Sequence, residues 1–228
     1  MQQLNQPTVK YLWNHVSPVV ETILQLSWGN SMAEKRYVIG DRQGWLRIKL
    51  EPSKKIVPVV EFLQVEFTKR TGGRDYFKIL EGVYKGQSAS VSEKSTSQSH
   101  LGKPLHAYGS GGSLAVDISK QELTYSGKTV SITVEPSALP TVGTHNIQIP
   151  DFPHSMGNSY LSKSPYALNW FFLGTGNASA GNDRYLHCGL ASAGCVTVDP
   201  TEWTKLYQYL IKRRAGDGKS VGKIKISA

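Results

Sequence analysis

The segment Arg184 to Val198, RYLHCGLASAGCVTV, holds the residues whose types and spacing could do chemistry. A thiol of pKa about 8.5 is mostly protonated at neutral pH, and an imidazole that accepts its proton creates the thiolate that attacks a carbonyl carbon. Cys195 and His187 form such a pair if the chain returns one beside the other. Apolar residues flank the segment on both sides, which predicts a strand ending at His187, a short loop from Cys188 to Gly194 and a second strand beginning at Cys195. Ser192, Ala193 and Gly194 are small enough to turn the backbone tightly and aim N–H groups at the oxyanion that attack would create. The same residues equally fit an inert core cysteine near an unrelated strand histidine. A third reading makes Cys188 and Cys195 a redox couple, because a short loop brings two Cα atoms within ~6 Å. No Cys-x-x-Cys motif accompanies them.

The elements that must position this segment are legible around it. Asp199 fits an N-cap, with Pro200 at the first helical position and Glu202 at the third. Trp203, Leu206, Tyr207, Leu210 and Ile211 then follow at helical spacing, which predicts an amphipathic helix over Pro200 to Arg214. Gly216 or Gly218 ends it, and Gly222 to Ile226 alternates Lys outward with Ile inward as a closing strand. Upstream, Leu114, Val116 and Ile118 alternate with polar or small residues before a turn through Ser126, Gly127 and Lys128 into Val130, Ile132 and Val134, which predicts a β-hairpin. His145 to Ile149 and the apolar run Ala167 to Leu173 read as further strands. Between them, His154 and Tyr160 lie in a Pro- and Gly-rich loop that could line a substrate cleft, while His145, Trp170 and Trp203 read as structural.

Residues Pro18 to Leu26 have the pattern of a short helix, and Arg36 to about Ser92 turns strand-like, suggesting a small barrel. Within it, Tyr76 to Val91 reads as two strands around Gly82 to Gly86, a weak SH3-like signature. The Ser- and Gly-rich stretch Ser92 to Gly112 is the candidate boundary. The expected organisation is a helical arm at 1–35, a small β domain with linker at 36–110 and a larger β domain at 111–228.

A formal charge of +9 over 228 residues suits an anionic partner surface, but no DNA-reading helix pair or RNA-binding aromatic pattern accompanies the dispersed lysines and arginines. Two cysteines without paired spacing offer neither a disulfide scaffold nor a zinc site, so no metal and no cofactor is expected. No stretch approaches the ~20 apolar residues of a membrane span, and no export signal is recognisable in Met1 to Lys10.

The order of motifs resembles the catalytic domain of bacterial L,D-transpeptidases, the YkuD-type family. Val116, Asp117, Ser119, Gln121 and Leu123 fit its opening V-D-x-S-x-Q-x-L pattern, and Pro140, Gly143 and Ile147 stand for the Pro, Gly and Ile of its middle T-P-x-G-x-(Y/F)-x-I pattern, with one more residue between Pro and Gly. His187, Ser192, Gly194 and Cys195 fit its H-G and S-x-G-C site. The family usually has His and Arg where this chain has Ala193 and Thr197, and Cys188 interrupts the H-G pair. The resemblance implies a mainly β fold, an L,D-transpeptidase-like β-sandwich with one amphipathic helix preceded by the small barrel. It further implies a cysteine nucleophile, Cys195, and a base, His187; the oxyanion contacts from Ser192, Ala193 and Gly194 rest on their size, and His154 and Tyr160 lie in a loop that equally fits a cleft wall or a surface without contact. The implied reaction acylates Cys195 with a peptidoglycan stem peptide and passes the acyl group to an amine, or to water in an L,D-carboxypeptidase. The implied location is the bacterial cell envelope, with anionic wall polymers as further partners. A non-catalytic wall-binding module of the same fold is the rival expectation.

Overall fold

The computed structural model describes residues 34–95, 98–103, 108–174 and 184–228. The helix expected at Pro18 to Leu26 lies outside them.

Seven strands form the first sheet: β1 (Glu34–Val38), β2 (Trp45–Leu50), β3 (Ile56–Val60), β4 (Gln64–Thr71), β5 (Arg74–Ile79), β6 (Ser88–Ser92) and β7 (Leu101–Gly102), in the order β3-β2-β6-β5-β4-β1-β7. Every pairing is antiparallel. Alternation in β2 and β5 puts Ile48, Leu50, Phe77 and Ile79 inside, which is why this stretch reads as strands from sequence. The pair expected around Gly82 to Gly86 is β5 and β6.

The remaining strands are β8 (Gly109–Ser110), β9 (Gly112–Asp117), β10 (Glu122–Tyr125), β11 (Lys128–Thr133), β12 (Gly143–Gln148), β13 (Phe171–Phe172), β14 (Tyr185–Cys188), β15 (Val196–Val198), β16 (Arg213–Arg214) and β17 (Ser220–Ser227). Eight of them form a sheet in the order β12-β17-β9-β10-β11-β15-β14-β13. Its two edges meet at a single bridge between Ile147 and Leu173, so the sheet curls into a nearly closed barrel. The fold is mainly β, as expected.

Several boundaries depart from the sequence reading. The expected hairpin is a three-stranded meander, because β10 pairs β9 on one side and β11 on the other. Its second turn is the predicted one, with Ser126 and Gly127 both at positive φ. Only Phe171–Phe172 of the apolar run 167–173 is strand, while Ala167 to Trp170 turn before it. The helix α1 spans Pro200–Ile211, with the Asp199 side chain capping the Thr201 N–H. It stops short of Arg214, because Arg213 and Arg214 instead pair with Gly109 and Ser110. Trp203, Leu206, Tyr207, Leu210 and Ile211 are all fully buried beneath it, each contributing about 1.5–3 kcal/mol.

Buried polar contacts tie the first sheet to the second. Arg214 forms a two-pronged ion pair with Glu81, Nη2 to Oε1 at 2.7 Å and Nε to Oε2 at 2.8 Å, and donates to the Phe62 carbonyl. Their side chains are 10% and 5% exposed. Removing one partner of such a pair strands the other charge in low dielectric. Arg214→Met is therefore expected to cost about 3–5 kcal/mol, read as a fall in Tm of about 10 °C. A second tie reaches toward the chemistry-bearing segment. Trp45 Nε1 donates to Asn169 Oδ1 at 2.6 Å, and Asn169 Nδ2 donates to the Gln43 carbonyl at 3.1 Å, fixing the turn that leads into Trp170.

Candidate active site

β14 and β15 are adjacent, parallel and joined by the loop 189–195, which returns along strands only three and four residues long. The register pairs Leu186 with Val196 and His187 with Thr197, so one step back Tyr185 lies beside Cys195. Alternation then places Tyr185, His187, Cys195 and Thr197 on one face, with Leu186 and Val196 fully buried on the other. His187 and Cys195 are diagonal neighbours on that face, with Cα atoms roughly 8 Å apart by strand geometry. Cys195 is half-buried; its Sγ accepts a 3.4 Å contact from the Tyr185 N–H, and the side chain packs against Trp170, Phe172 and Tyr185.

Both ring nitrogens of His187 are engaged. Nδ1 is 3.0 Å from the Cys188 carbonyl and Nε2 is 3.0 Å from Thr197 Oγ1. The ring is 6% exposed and stacks on Trp170 at 4.2 Å between centroids. Burial disfavours the imidazolium and pushes the pKa down to about 4, partly opposed by the bond to the Cys188 carbonyl. The ring is therefore neutral at neutral pH and a weaker base than an ordinary imidazole. The linkage has a definite sign: between pH 6.5 and 4 the unfolded histidine takes up a proton that the folded one refuses, so stability falls as pH drops through this window. The full loss from this group is about 3 kcal/mol. Urea unfolding at pH 7 and pH 4.5 is expected to show a smaller pH difference in His187→Gln than in the native protein.

The surrounding shell is aromatic. His154 stacks on Trp170 at 4.6 Å and on Phe152 at 4.3 Å, and Tyr185 meets it edge-on at 4.7 Å. His154 Nε2 lies 3.1 Å from Asp151 Oδ1. Tyr160 accepts the Leu190 N–H at 3.3 Å, which pins the loop before Cys195. A cleft of ≈ 270 Å³ is lined by Gln148, Ile149, Asp151, Phe152 and Phe172 together with Val83 and Tyr84 from the connection between β5 and β6; it shares Asp151, Phe152 and Phe172 with this cluster but is not lined by Cys195 or His187.

Two glycines in the loop sit in tight places, and Gly194 also needs a backbone conformation that favours glycine. A Cβ on Gly189 would stand 3.2 Å from Thr197 Cγ2 and 3.5 Å from His187 Cε1. Gly194 has φ +85°, and a Cβ there would stand 2.6 Å from Arg184 Nε. Ser192 Oγ donates to the Cys195 carbonyl at 2.7 Å and closes the turn. Among the described residues, no acceptor takes the amide N–H of Ala193 or Gly194.

The structure puts His187, Cys195, Ser192, Ala193 and Gly194 on one loop and its flanking strands, with His187 bonded to Thr197 and Cys195 to Tyr185 rather than to each other, and with His154 reaching them through Trp170 and Tyr160 through Leu190. His145 stands apart, bonded to the Thr141 carbonyl. Trp170 is buried, as expected, and in addition stacks against both His187 and His154. Asp151, Tyr185 and Thr197 were missed. Only the parallel register, which no local pattern announces, brings Tyr185 beside Cys195 and Thr197 beside His187. The redox couple is excluded as the chain stands. Cys188 pairs with Val198, three residues beyond Cys195, so the two Cα atoms are separated by roughly 11 Å along and across the strands, well beyond disulfide reach of about 7 Å. Burial also pushes the Cys188 thiol up to about 12, leaving it inert. Among the described residues, no cluster of His, Cys, Asp or Glu is arranged to hold a metal ion, and no helix is long and apolar enough to cross a membrane.

No protein-family profile matches the chain, and no curated protein matches it. Two solved structures are distantly similar. Mycobacterium tuberculosis L,D-transpeptidase 1 is 12% identical with a TM-score of 0.35, over 80% of this chain and 81% of that one. An L,D-transpeptidase from Mycobacterium tuberculosis H37Rv is 10% identical with a TM-score of 0.32, over 93% of this chain and 86% of that one.

Proposed function

We propose that the protein is a cysteine acyltransferase of the L,D-transpeptidase kind, acting on peptidoglycan stem peptides in the bacterial cell envelope. The observation that carries the reading is the placement of half-buried Cys195 on the same strand face as His187, whose burial favours the neutral imidazole. The sequence motif around these two residues names the reaction class.

In this reading Cys195 loses its proton to the imidazole and attacks the carbonyl on the L-centre side of a stem-peptide bond. The S–H bond breaks and an N–H bond forms on His187. The tetrahedral oxyanion accepts from the amides of Ala193 and Gly194, which have no acceptor among the described residues. Collapse returns the histidine proton to the departing amine of the terminal D-residue and leaves a thioester on Cys195. An incoming amine completes transpeptidation, and water completes carboxypeptidase action. Incubation with a tetrapeptide stem, with and without an amine acceptor, tests the reading: release of the terminal D-amino acid supports it, and no release under either condition refutes it.

One observation favours a second reading, a catalytically inert wall-binding module. Both nitrogens of His187 already have partners within the protein. Such a module predicts a Cys195 that alkylates no faster than a simple thiol.

A further inference from the structure

We infer that Thr197 is a positioning residue whose hydroxyl reverses its hydrogen bond when His187 gains a proton, stabilising the imidazolium and fastening the loop that carries Ala191. The inference rests on the proposed acyl-transfer reading for its role in catalysis, but the reversal itself needs no substrate.

The Cys188 carbonyl only accepts, so Nδ1 of His187, 3.0 Å away, carries a hydrogen. In a neutral ring Nε2 is then a lone pair, and its 3.0 Å neighbour Thr197 Oγ1 must be the donor. The Ala191 carbonyl lies 3.1 Å from the same Oγ1 and also only accepts. One hydroxyl hydrogen cannot serve both, so with neutral His187 one of the two bonds is unmade. With imidazolium every bond is made at once: Nδ1–H to the Cys188 carbonyl, Nε2–H to Oγ1, and Oγ1–H to the Ala191 carbonyl.

The chemistry balances without any further reactant. When the Cys195 thiol gives up its proton to the ring, S–H breaks, Nε2–H forms, and thiolate and imidazolium result. The Thr197 O–H bond stays intact and only rotates, from Nε2 to the Ala191 carbonyl. The rotation adds a hydrogen bond to the charged form, which opposes the burial that disfavours it. It also clasps the 189–195 loop at Ala191 at the moment its amides are needed for an oxyanion. Thr197 is fully buried, so no water competes for these bonds. The chain has this threonine where the transpeptidase-type motif has arginine, and the hydroxyl gives the position a different task.

The other ionisable groups around the ring are His154, paired with Asp151 and stacked on the same Trp170, Tyr185 and Cys195 on the same strand face, Cys188 next along β14, and Tyr160 against Gly189. Of these, His154 acts on the ring as a further charge that opposes protonation. A shift in the His187 titration must therefore be compared with that of His154 in the same spectra.

The experiment follows the His187 and His154 ring nitrogens and the Ala191 carbonyl carbon by NMR from pH 7 down to about pH 3.5, in the native protein, Thr197→Val and Thr197→Ser. In the native protein the Ala191 carbonyl signal is expected to move with the His187 midpoint. Thr197→Val, which keeps the shape and loses the hydroxyl, is expected to lower that midpoint by about one unit and to slow Cys195 alkylation at pH 7 by roughly tenfold. Thr197→Ser is expected to restore both. An Ala191 signal indifferent to His187 titration overturns the inference in the native protein alone, even if the valine variant does not fold. So does a valine variant with an unchanged midpoint, or a serine variant that fails to rescue. Coupled titration without any released D-amino acid from a stem peptide leaves the reversal standing and removes only the acyl-transfer reading.

Discussion

Cys195→Ala is expected to abolish thioester formation and D-amino acid release from a stem peptide, lowering turnover by at least about 10⁴-fold. The size follows from the role. A nucleophile that forms the covalent intermediate has no substitute among its neighbours, since Cys188 is buried, lies on the opposite face of the sheet and has a thiol pushed up to about 12. The same contrast governs labelling. Iodoacetamide is expected to modify one cysteine in the folded protein, at Cys195, and both after denaturation. Cys188→Ser should retain turnover within a few-fold. Turnover surviving in Cys195→Ala, or lost in a folded Cys188→Ser, contradicts the assignment of the nucleophile.

His187→Gln is expected to slow both acylation and Cys195 alkylation at pH 7 by about 10²–10⁴-fold, the usual contribution of a positioned general base. The pH dependence is the sharper signature. A histidine of ordinary pKa would leave an acid limb near 6.5, because the base is lost once protonated. Burial holds the His187 imidazole down to about 4, so it remains a proton acceptor through the mildly acidic range. The acid limb of the alkylation rate is therefore expected near pH 4 to 5 in the native protein and to be absent in His187→Gln. A limb near 6.5 would point instead to a group outside this buried position.

The elements that frame the site were readable because each has a local cause. Asp199 and Pro200 announce α1, and the Ile and Lys alternation of Ile224, Lys225 and Ile226 announces β17. The loop 189–195 was readable as well, because Gly194 and its small neighbours are what a tight turn before Cys195 needs. What the sequence did not disclose depends on partners distant along the chain. Trp170 looks like any core tryptophan until Asn169 is seen held by Trp45 and Gln43 of the first sheet, which fixes the indole under two histidines. Arg213 and Arg214 continue a helical pattern, but the ion pair with Glu81 and the pairing with Gly109 and Ser110 offer the backbone and charge a better alternative. Thr197 is an unremarkable strand residue by type. Its role appears only from the parallel register that seats it against His187.

The central claim is that Cys195 becomes acylated. Intact-mass spectrometry after mixing the protein with a tetrapeptide stem, followed by peptide mapping and hydroxylamine treatment, tests it most directly. The expected result is one hydroxylamine-sensitive acyl group, smaller than the donor by the terminal D-residue, on the peptide containing Cys195. An unmodified protein, or an adduct mapped to any other residue, would contradict it.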